Sequence, residues 1–130
     1  DADLSDIFFK CMILANQEAG WNFDITGCEV MQFSTYYEGN HYGWHIDTLE
    51  REIVPERVRK LSLVVSLNDD YEGGEFRFFG GQEKVRLSEG EAMLFPAEPI
   101  WIHGTEPVTK GARYTINCFL RLPPQTNETK

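Results

Sequence analysis

The sequence contains little positive charge. Only 12 lysine and arginine residues stand against 21 aspartate and glutamate residues, and the formal net charge at pH 7 is −9. Domains that bind nucleic acid rely on lysine and arginine to neutralise phosphates, usually along a basic patch or stripe. No such stripe is present in this chain. We therefore expect no nucleic-acid partner.

Cysteines and long apolar runs are also scarce. The three cysteines (Cys11, Cys28 and Cys118) are odd in number, far apart and without a CxxC pair, which argues against a disulfide framework or a zinc site. No apolar run approaches the ~20 residues that span a bilayer, and no basic-then-apolar leader is seen. We therefore expect a protein of the cytoplasm or another reducing intracellular compartment, with no membrane contact.

The chain is nevertheless long and apolar enough to fold by itself. Its 130 residues are 42% hydrophobic and 13% aromatic, which predicts one domain over residues 1–130. Residues 1–20 are expected to form an N-terminal helix that packs on the outside of a sheet and ends at Gly20. Its apolar residues recur at helical spacing: Leu4, Ile7, Phe8, Cys11, Met12, Leu14 and Ala15.

After Trp21 the pattern changes to about eight short strands, separated by glycine, proline, asparagine and aspartate turns. Among them are strands at 23–27, 29–37, 61–67 and 112–122, and Gln32, Ser34 and Tyr36 share a polar face suited to a pocket. This rhythm is typical of sandwiches and barrels and favours a mainly β jelly roll. Residues 48–60 are expected to form a surface loop beside the site, and residues 123–130 a frayed tail.

The candidate chemistry centres on residues 36–47, where His45 and Asp47 end an aromatic and glycine-rich stretch. On an extended strand, residues two apart point to the same face, so the two side chains converge. Two histidines and one carboxylate form the facial triad that binds Fe(II) and leaves other positions open, and His103 is the candidate third ligand. His41 lies out of phase with this face. An HxD pair also occurs by chance, and a lone histidine is more often a core or surface residue.

A second candidate is Arg113, which shares one face of the last strand with Thr115 and Asn117. An inward arginine is unfavourable unless an anion pairs with it. One of the acidic side chains can supply that anion. A small dicarboxylate cosubstrate is the alternative, because a guanidinium binds a carboxylate through two parallel hydrogen bonds.

Together these residues resemble the motifs of the non-haem Fe(II), 2-oxoglutarate-dependent dioxygenases, in the prolyl 4-hydroxylase-like branch. The four stretches that match are Tyr36-x-x-Gly39-x-x-Tyr42-x-x-His45-x-Asp47, Leu67-Asn68-Asp69 with Tyr71-x-Gly73-Gly74-Glu75-Phe76, Gly90-x-Ala92-x-Leu94-Phe95-Pro96, and His103-x-x-x-Pro107-Val108-x-x-Gly111-x-Arg113. Any one of them alone is a weak signal, whereas their order and spacing together are specific.

The resemblance implies a double-stranded β-helix that uses Fe(II), 2-oxoglutarate and O2, with ascorbate as reductant. It implies that His45, Asp47 and His103 bind the iron and that no further catalytic acid or base is needed. The cosubstrate-binding residues implied are Arg113, Tyr36 and Thr115. Collagen-type members usually carry lysine in place of Arg113, whereas arginine is usual in the oxygen-sensing and the bacterial or phage-type members.

The expected reaction is hydroxylation of a prolyl residue, or a similar side chain, in a peptide or protein, with release of succinate and CO2. Two alternatives stay open: an oxygenase of the same fold that acts on a small molecule or an alkylated base, and a jelly-roll binding module with a vestigial metal site. Tyr42 and Arg59 are candidate substrate contacts at the pocket mouth, although each can equally be a plain surface residue. Val64 and Leu94 are expected to line the pocket with aliphatic groups, and Trp44, on the face opposite His45, to serve in packing.

Overall fold

The computed structural model of the chain describes residues 2–25, 27–47, 59–97 and 101–121. The predicted tail at 123–130 and most of the predicted loop, residues 48–58, lie outside the described residues. The elements are α1 Ala2–Glu18, β1 Gly27–Cys28, β2 Gln32–Tyr36, β3 Tyr42–His45, β4 Arg59–Ser66, β5 Glu72–Gly73, β6 Phe76–Phe78, a short 3-10 helix Phe79–Gly81, β7 Glu83–Val85, β8 Ala92–Pro96, β9 His103–Thr105, β10 Val108–Lys110 and β11 Arg113–Arg121.

The strands form two facing antiparallel sheets and one small pair. The major sheet has the order β1-β11-β4-β8, and β2 also pairs with β11. The minor sheet has the order β3-β9-β6-β7, and β10 pairs with β5. The predicted mainly β jelly roll with one N-terminal helix is confirmed. Within the described part of the chain, no helix is both long and apolar enough to cross a bilayer.

Helix α1 packs on the outer face of the major sheet, as predicted. Met12 is 2% exposed and belongs to one core cluster with Leu61 and Leu120, both 0% exposed. Burial of each such side chain stabilises the fold by ~1.5–3 kcal/mol. The predicted apolar stripe is only partly buried, since Ile7 and Leu14 remain 57% and 56% exposed. Gly20 follows the helix with φ +77°, the left-handed conformation that ends a helix.

The strand predicted at residues 23–27 is wrong, because residues 21–25 form no regular structure and β1 contains only Gly27 and Cys28. The reason is Asn16, a buried helix residue whose amide donates to the carbonyl of Phe23 at 2.9 Å and accepts from its N–H at 3.1 Å. Both backbone groups of Phe23 thus bond to a helix side chain, and its carbonyl oxygen also accepts from the N–H of Ile25 at 3.0 Å, so this residue is held outside the sheet.

The predicted strand at 29–37 is shorter than expected. It begins at Gln32, and Val30 is 87% exposed. The inner face of β2 does line a polar pocket, as expected. Between the sheets, a second core cluster contains Val64, Phe76, Phe78 and Phe95. Val64 and Phe76 of this cluster also line the cavity between the sheets.

Candidate metal centre

The cavity between the sheets has a volume of about 420 Å³ and is lined by both of them. Strands β2, β4 and β11 of the major sheet form one wall, and β3, β6 and β9 of the minor sheet form the other. The residues predicted as metal ligands, cosubstrate contacts and substrate contacts all line this cavity: His45, Asp47, His103, Arg113, Tyr36, Thr115, Tyr42 and Arg59.

Two histidines that lie far apart in sequence become neighbours through strand pairing. His45 on β3 is directly opposite His103 on β9, and their ring centroids are 4.2 Å apart. Oδ1 of Asp47 lies 3.3 Å from Nε2 of His45 and 3.6 Å from Nε2 of His103. One ligand atom from each of the three residues lies within 4.8 Å of the other two. His41 is exposed and stands outside this cluster.

Backbone carbonyls fix the orientation of both rings. Nδ1 of His45 is 2.8 Å from the carbonyl oxygen of Gly43, and Nδ1 of His103 is 2.9 Å from that of Trp101. Because a carbonyl oxygen only accepts, each Nδ1 carries a proton, and in the neutral ring each Nε2 is therefore a lone pair. Both lone pairs therefore belong to the nitrogens that face Asp47.

The ionisation states of the same three side chains favour binding of a cation. Burial by itself raises the pKa of Asp47, but hydrogen bonds from the protonated His45 ring and from Ser62, together with the charge of the nearby histidines, lower it below its usual 3.8. Burial lowers the pKa of His103 below 6.5. Burial also acts to lower the pKa of His45, but the hydrogen bonds of the protonated ring to Asp47 and to the Gly43 carbonyl, together with the charge of Asp47, outweigh burial and raise this pKa. Near neutral pH the cluster offers an ionised carboxylate and a neutral imidazole at His103.

These donor atoms fit a divalent transition metal. Octahedral ligand atoms ~2.1 Å from a metal lie about 3 Å from each other, close to the spacing of the Nε2 and Oδ1 atoms here. The set of two imidazoles and one carboxylate is the one that non-haem Fe(II) oxygenases use.

Arg113 is a second charged group of the cavity wall, apart from the metal-ligand cluster. It is 3% exposed, and its Nη1 has no hydrogen-bond partner among the described residues. Its Cζ lies 4.9 Å from the ring centroids of both Tyr36 and Phe76. Phe76 in turn lies 6.2 Å from the ring of His103, so a single aromatic ring separates Arg113 from the candidate metal ligands. Burial raises the pKa of Tyr36 above 10.0 although Arg113 acts to lower it, so its phenol stays protonated.

Neighbouring polar groups in the cavity are also unpartnered among the described residues. Thr115 Oγ1 and Asn117 Oδ1 are buried without a hydrogen-bond partner. Across the β2–β11 ladder, Thr115 faces Ser34 and Asn117 faces Gln32. Several polar atoms thus point into one cavity, as expected of a site built to bind a polar molecule.

Sequence reasoning missed Ser62, whose hydroxyl donates to Oδ2 of Asp47 at 2.7 Å. A signal was present, because Ser62 and Ser66 are polar interruptions of the strand 61–67. The extended-strand argument for His45 and Asp47 also holds only in part. Strand β3 ends at His45, and Asp47 lies beyond it at a bend.

The remaining predicted residues of the cavity and its mouth have mixed outcomes. Val64 lines the cavity, but the expectation for Leu94 is wrong, because Leu94 packs with the core cluster under α1. Trp44 is 49% exposed and belongs to neither core cluster. The ring of Tyr42 lies 4.0 Å from that of His45. Arg59 donates to both carboxylate oxygens of Glu29, at 2.7 and 2.8 Å.

Comparison with known families agrees with this geometry. The model of the 2OG-Fe(II) oxygenase superfamily matches residues 31–121, which contain every cavity residue named above. The chain belongs to this superfamily. A PKHD-type hydroxylase of Pseudomonas putida (strain W619) is 38% identical over 86 residues, which cover 61% of this chain and 37% of that protein. The chain therefore spans little more than a third of the length of such relatives.

Solved structures share the fold of this family member. A viral collagen prolyl hydroxylase from Paramecium bursaria Chlorella virus-1, in complex with 2OG, has a TM-score of 0.77 and 22% identity, covering 90% of this chain and 72% of that one. A prolyl hydroxylase from Trichoplax adhaerens, in complex with a hypoxia inducible factor peptide fragment, has a TM-score of 0.65 and 22% identity, covering 77% of this chain and 46% of that one.

Proposed function

We propose that this protein is an Fe(II)- and 2-oxoglutarate-dependent hydroxylase that acts on a prolyl residue, or a similar side chain, of a peptide or protein. One observation carries the proposal: the candidate metal ligands and the buried Arg113, whose Nη1 is unpartnered among the described residues, line the same cavity. A buried cation without a counter-charge among the described residues calls for an anionic ligand. A dicarboxylate that also reaches the metal can make both interactions, since one end binds the metal and the other pairs with Arg113.

The metal ligands and Arg113 have separate roles in this proposal. Bound Fe(II) and 2-oxoglutarate would supply the oxidation, in which O2 and 2-oxoglutarate are converted to succinate and CO2 while a substrate C–H becomes C–OH. His45, His103 and Asp47 hold the metal through Nε2, Nε2 and Oδ1. Arg113 pairs with the far carboxylate of the cosubstrate.

Two hydroxyl groups assist Arg113 in this proposal. The protonated phenol of Tyr36 and the unpartnered hydroxyl of Thr115 are donors, and a cosubstrate carboxylate only accepts. The three side chains are grouped by the sheet itself. Tyr36 and Arg113 are opposite each other on β2 and β11, and Thr115 is two residues along β11 on the same face.

The substrate end is assigned to the more exposed part of the cavity. The cavity wall is buried at Arg113 and becomes exposed at Gln32. Ionised 2-oxoglutarate has no hydrogen-bond donor, so the Oδ1 of Asn117, which has no partner among the described residues, is available to accept a hydrogen bond from the substrate. A peptide N–H is such a donor. Tyr42, 51% exposed beside His45, is placed to contact the substrate.

Arg59 is a weaker candidate for substrate contact. Its guanidinium already donates to Glu29 and to the carbonyl oxygen of Asp47, and it lies 3.8 Å above the ring of Phe119. These contacts support a role in positioning the wall of the cavity. Ascorbate as reductant and a reducing compartment remain part of the proposal, and the three free thiols are compatible with the latter.

The test is an anaerobic titration of the metal-free protein with Fe(II) and then 2-oxoglutarate, followed by visible absorption. We expect a metal-to-ligand charge-transfer band that saturates at one equivalent and is lost in His103→Ala. Iron binding without a band would instead favour a metal-binding jelly-roll module.

A second step tests the substrate class. The loaded enzyme is incubated in air with proline-containing peptides, and the peptides are searched by mass spectrometry for one added oxygen atom. Hydroxylated proline supports the proposal. Succinate release without any peptide product would favour the alternative oxygenase that acts on a small molecule or an alkylated base.

A further inference from the structure

Asp47 is held from the opposite sheet. It lies beyond the last residue of β3, at a bend, so strand pairing does not fix its backbone. Two residues of β4 hold it instead. Ser62 Oγ donates to Oδ2 at 2.7 Å, and Nη1 of Arg59 donates to the backbone carbonyl at 3.3 Å.

The two carboxylate oxygens of Asp47 therefore differ. Oδ1 faces Nε2 of His45 and Nε2 of His103, at 3.3 and 3.6 Å, whereas Oδ2 accepts the hydrogen bond from Ser62. We propose that Ser62 is a positioning residue that keeps Asp47 a one-oxygen metal ligand. This inference rests on the proposed function, since it concerns the same metal centre.

The hydrogen bond from Ser62 to Asp47 is expected to be strong. Ser62 is 1% exposed, and the Asp47 side chain is 9% exposed, so water competes little with it. A hydroxyl that donates to a carboxylate makes a charge-assisted bond, about twice as strong as a neutral one. Without it, Oδ2 would be free to rotate towards the metal and bind it as a second oxygen, which would occupy a position needed by the cosubstrate or O2.

The cross-strand neighbours of Ser62 give no packing reason for a hydroxyl group at this position. Across the sheet, Ser62 is paired with Phe119 on one side and Phe95 on the other. Neither phenylalanine side chain can accept a conventional hydrogen bond, and alanine would fit the same space. A polar residue between two aromatic ones is unfavourable unless its hydroxyl is needed, and the acceptor found is a candidate metal ligand.

The same strand supplies a matched control. Ser66 is 2% exposed, lies on the same face of β4 and donates to the carbonyl oxygen of Asn68 at 2.9 Å. Its hydroxyl is as buried as that of Ser62 and does not touch the metal cluster. Ser66→Ala therefore reports the cost of deleting a buried, hydrogen-bonded serine hydroxyl from this strand.

The experiment uses Co(II) alone as the probe, titrated into the metal-free protein by calorimetry and visible absorption. Loss of a group that orients a metal ligand typically weakens binding roughly 10- to 100-fold. We expect such a loss, and altered Co(II) absorption, in Ser62→Ala and in Ser62→Val. Ser62→Thr keeps the hydroxyl and is isosteric with valine, so it should retain the wild-type affinity and spectrum. Ser66→Ala should bind Co(II) like the wild type.

If Ser62→Ala folds poorly, the Thr and Val variants still test the inference. Both add the same volume to position 62, so a difference between them reports the hydroxyl group. Equal Co(II) affinity and spectra in these two variants would overturn the inference and leave the metal site standing. An equal loss in Ser62→Ala and Ser66→Ala would also overturn it, as a general effect on stability. A wild-type protein that binds no Co(II) overturns the inference together with the proposed function.

Discussion

Replacing Arg113 by methionine should separate cosubstrate binding from metal binding. Methionine keeps much of the side-chain length and apolar contact with Tyr36 and Phe76 but removes the guanidinium. Truncation of one partner of a buried charge pair costs about 2–5 kcal/mol. At about 1.4 kcal/mol for each factor of ten, the Kd for 2-oxoglutarate should rise roughly 30- to 4,000-fold. Fe(II) affinity should stay unchanged, since Arg113 is not a ligand.

The same change should not destabilise the protein when it is free of metal and cosubstrate. Arg113 is 3% exposed, and its guanidinium lies against the faces of the Tyr36 and Phe76 rings. Such contacts are worth about 0.5–2 kcal/mol each, less than the cost of burying an ion without a counter-charge. The variant should therefore unfold in denaturant at the same or a higher midpoint than the wild type.

Two measurements check this prediction. Anaerobic titration of the Fe(II) protein gives the Kd for 2-oxoglutarate, and thermal unfolding with and without the cosubstrate gives an independent value. A ligand at 100 times its Kd stabilises the wild type by about 2.7 kcal/mol, and at the same concentration the variant should keep no more than about 0.9 kcal/mol of this gain. Arg77→Met is the control, because Arg77 pairs with Glu106 at 2.9 Å outside the cavity. An Arg113→Met protein that binds 2-oxoglutarate within about threefold of wild type would refute the assignment.

Three other positions allow further tests. Because the hydrogen bonds to Asp47 and to the Gly43 carbonyl and the charge of Asp47 together outweigh burial and raise the pKa of His45 above 6.5, protons should begin to compete with Co(II) while the pH is still above 6.5, as calorimetry between pH 8 and 6 can show. A Cβ at Gly73 would meet the carbonyl oxygen of Pro107, so Gly73→Ala should lower the free energy of unfolding in urea more than Gly80→Ala, which has a similar positive φ in open space and should cost only about 1–2 kcal/mol. Burial raises the pKa of the Cys118 thiol to about 12, so iodoacetamide at pH 8 should leave it unmodified until the protein unfolds; rapid alkylation of the native protein would contradict this.

Much of the site could be predicted because few roles besides metal and anion binding suit this combination of residues. A histidine and an aspartate two apart, a distant histidine and an inward arginine are each ambiguous. Their order along the chain is specific, and the structure brings all of them into one cavity. The mainly β fold could be predicted for a related reason, since period-two patterns and turn residues are local signals.

What could not be predicted depends on contacts between distant segments. Asn16 takes both backbone hydrogen bonds of Phe23, and nothing in the strand-like sequence at 23–27 reveals this competition. The role of Ser62 depends on which residue of the opposite sheet lies within reach of its hydroxyl. The pattern of β4 marks the position as unusual but does not name Asp47 as its partner.

The register of β3 gives another example. Tyr42 pairs with Thr105 and His45 with His103, so three steps on β3 oppose two steps on β9. This bulge places Tyr42 on the same side as His45, although strict alternation puts residues three apart on opposite faces. The ring contact of 4.0 Å between them is the result. Sequence alternation therefore assigns Tyr42 to the wrong face, and only the pairing with β9 corrects it.

His103 shows how the fold, more than the local sequence, prepares a metal ligand. Strand β9 is paired on both sides, with β3 and with β6, so the backbone of His103 is fixed from two directions. Its ring lies among Phe95, Phe78 and Phe76, at centroid distances of 4.9, 5.5 and 6.2 Å. These rings exclude water and lower the pKa of the imidazole, so it is neutral when a metal arrives. The same burial would make an unbound, charged His103 unfavourable. The aromatic core between the sheets and the candidate metal centre are therefore one unit: a change that opens this core should weaken metal binding even where it touches no ligand.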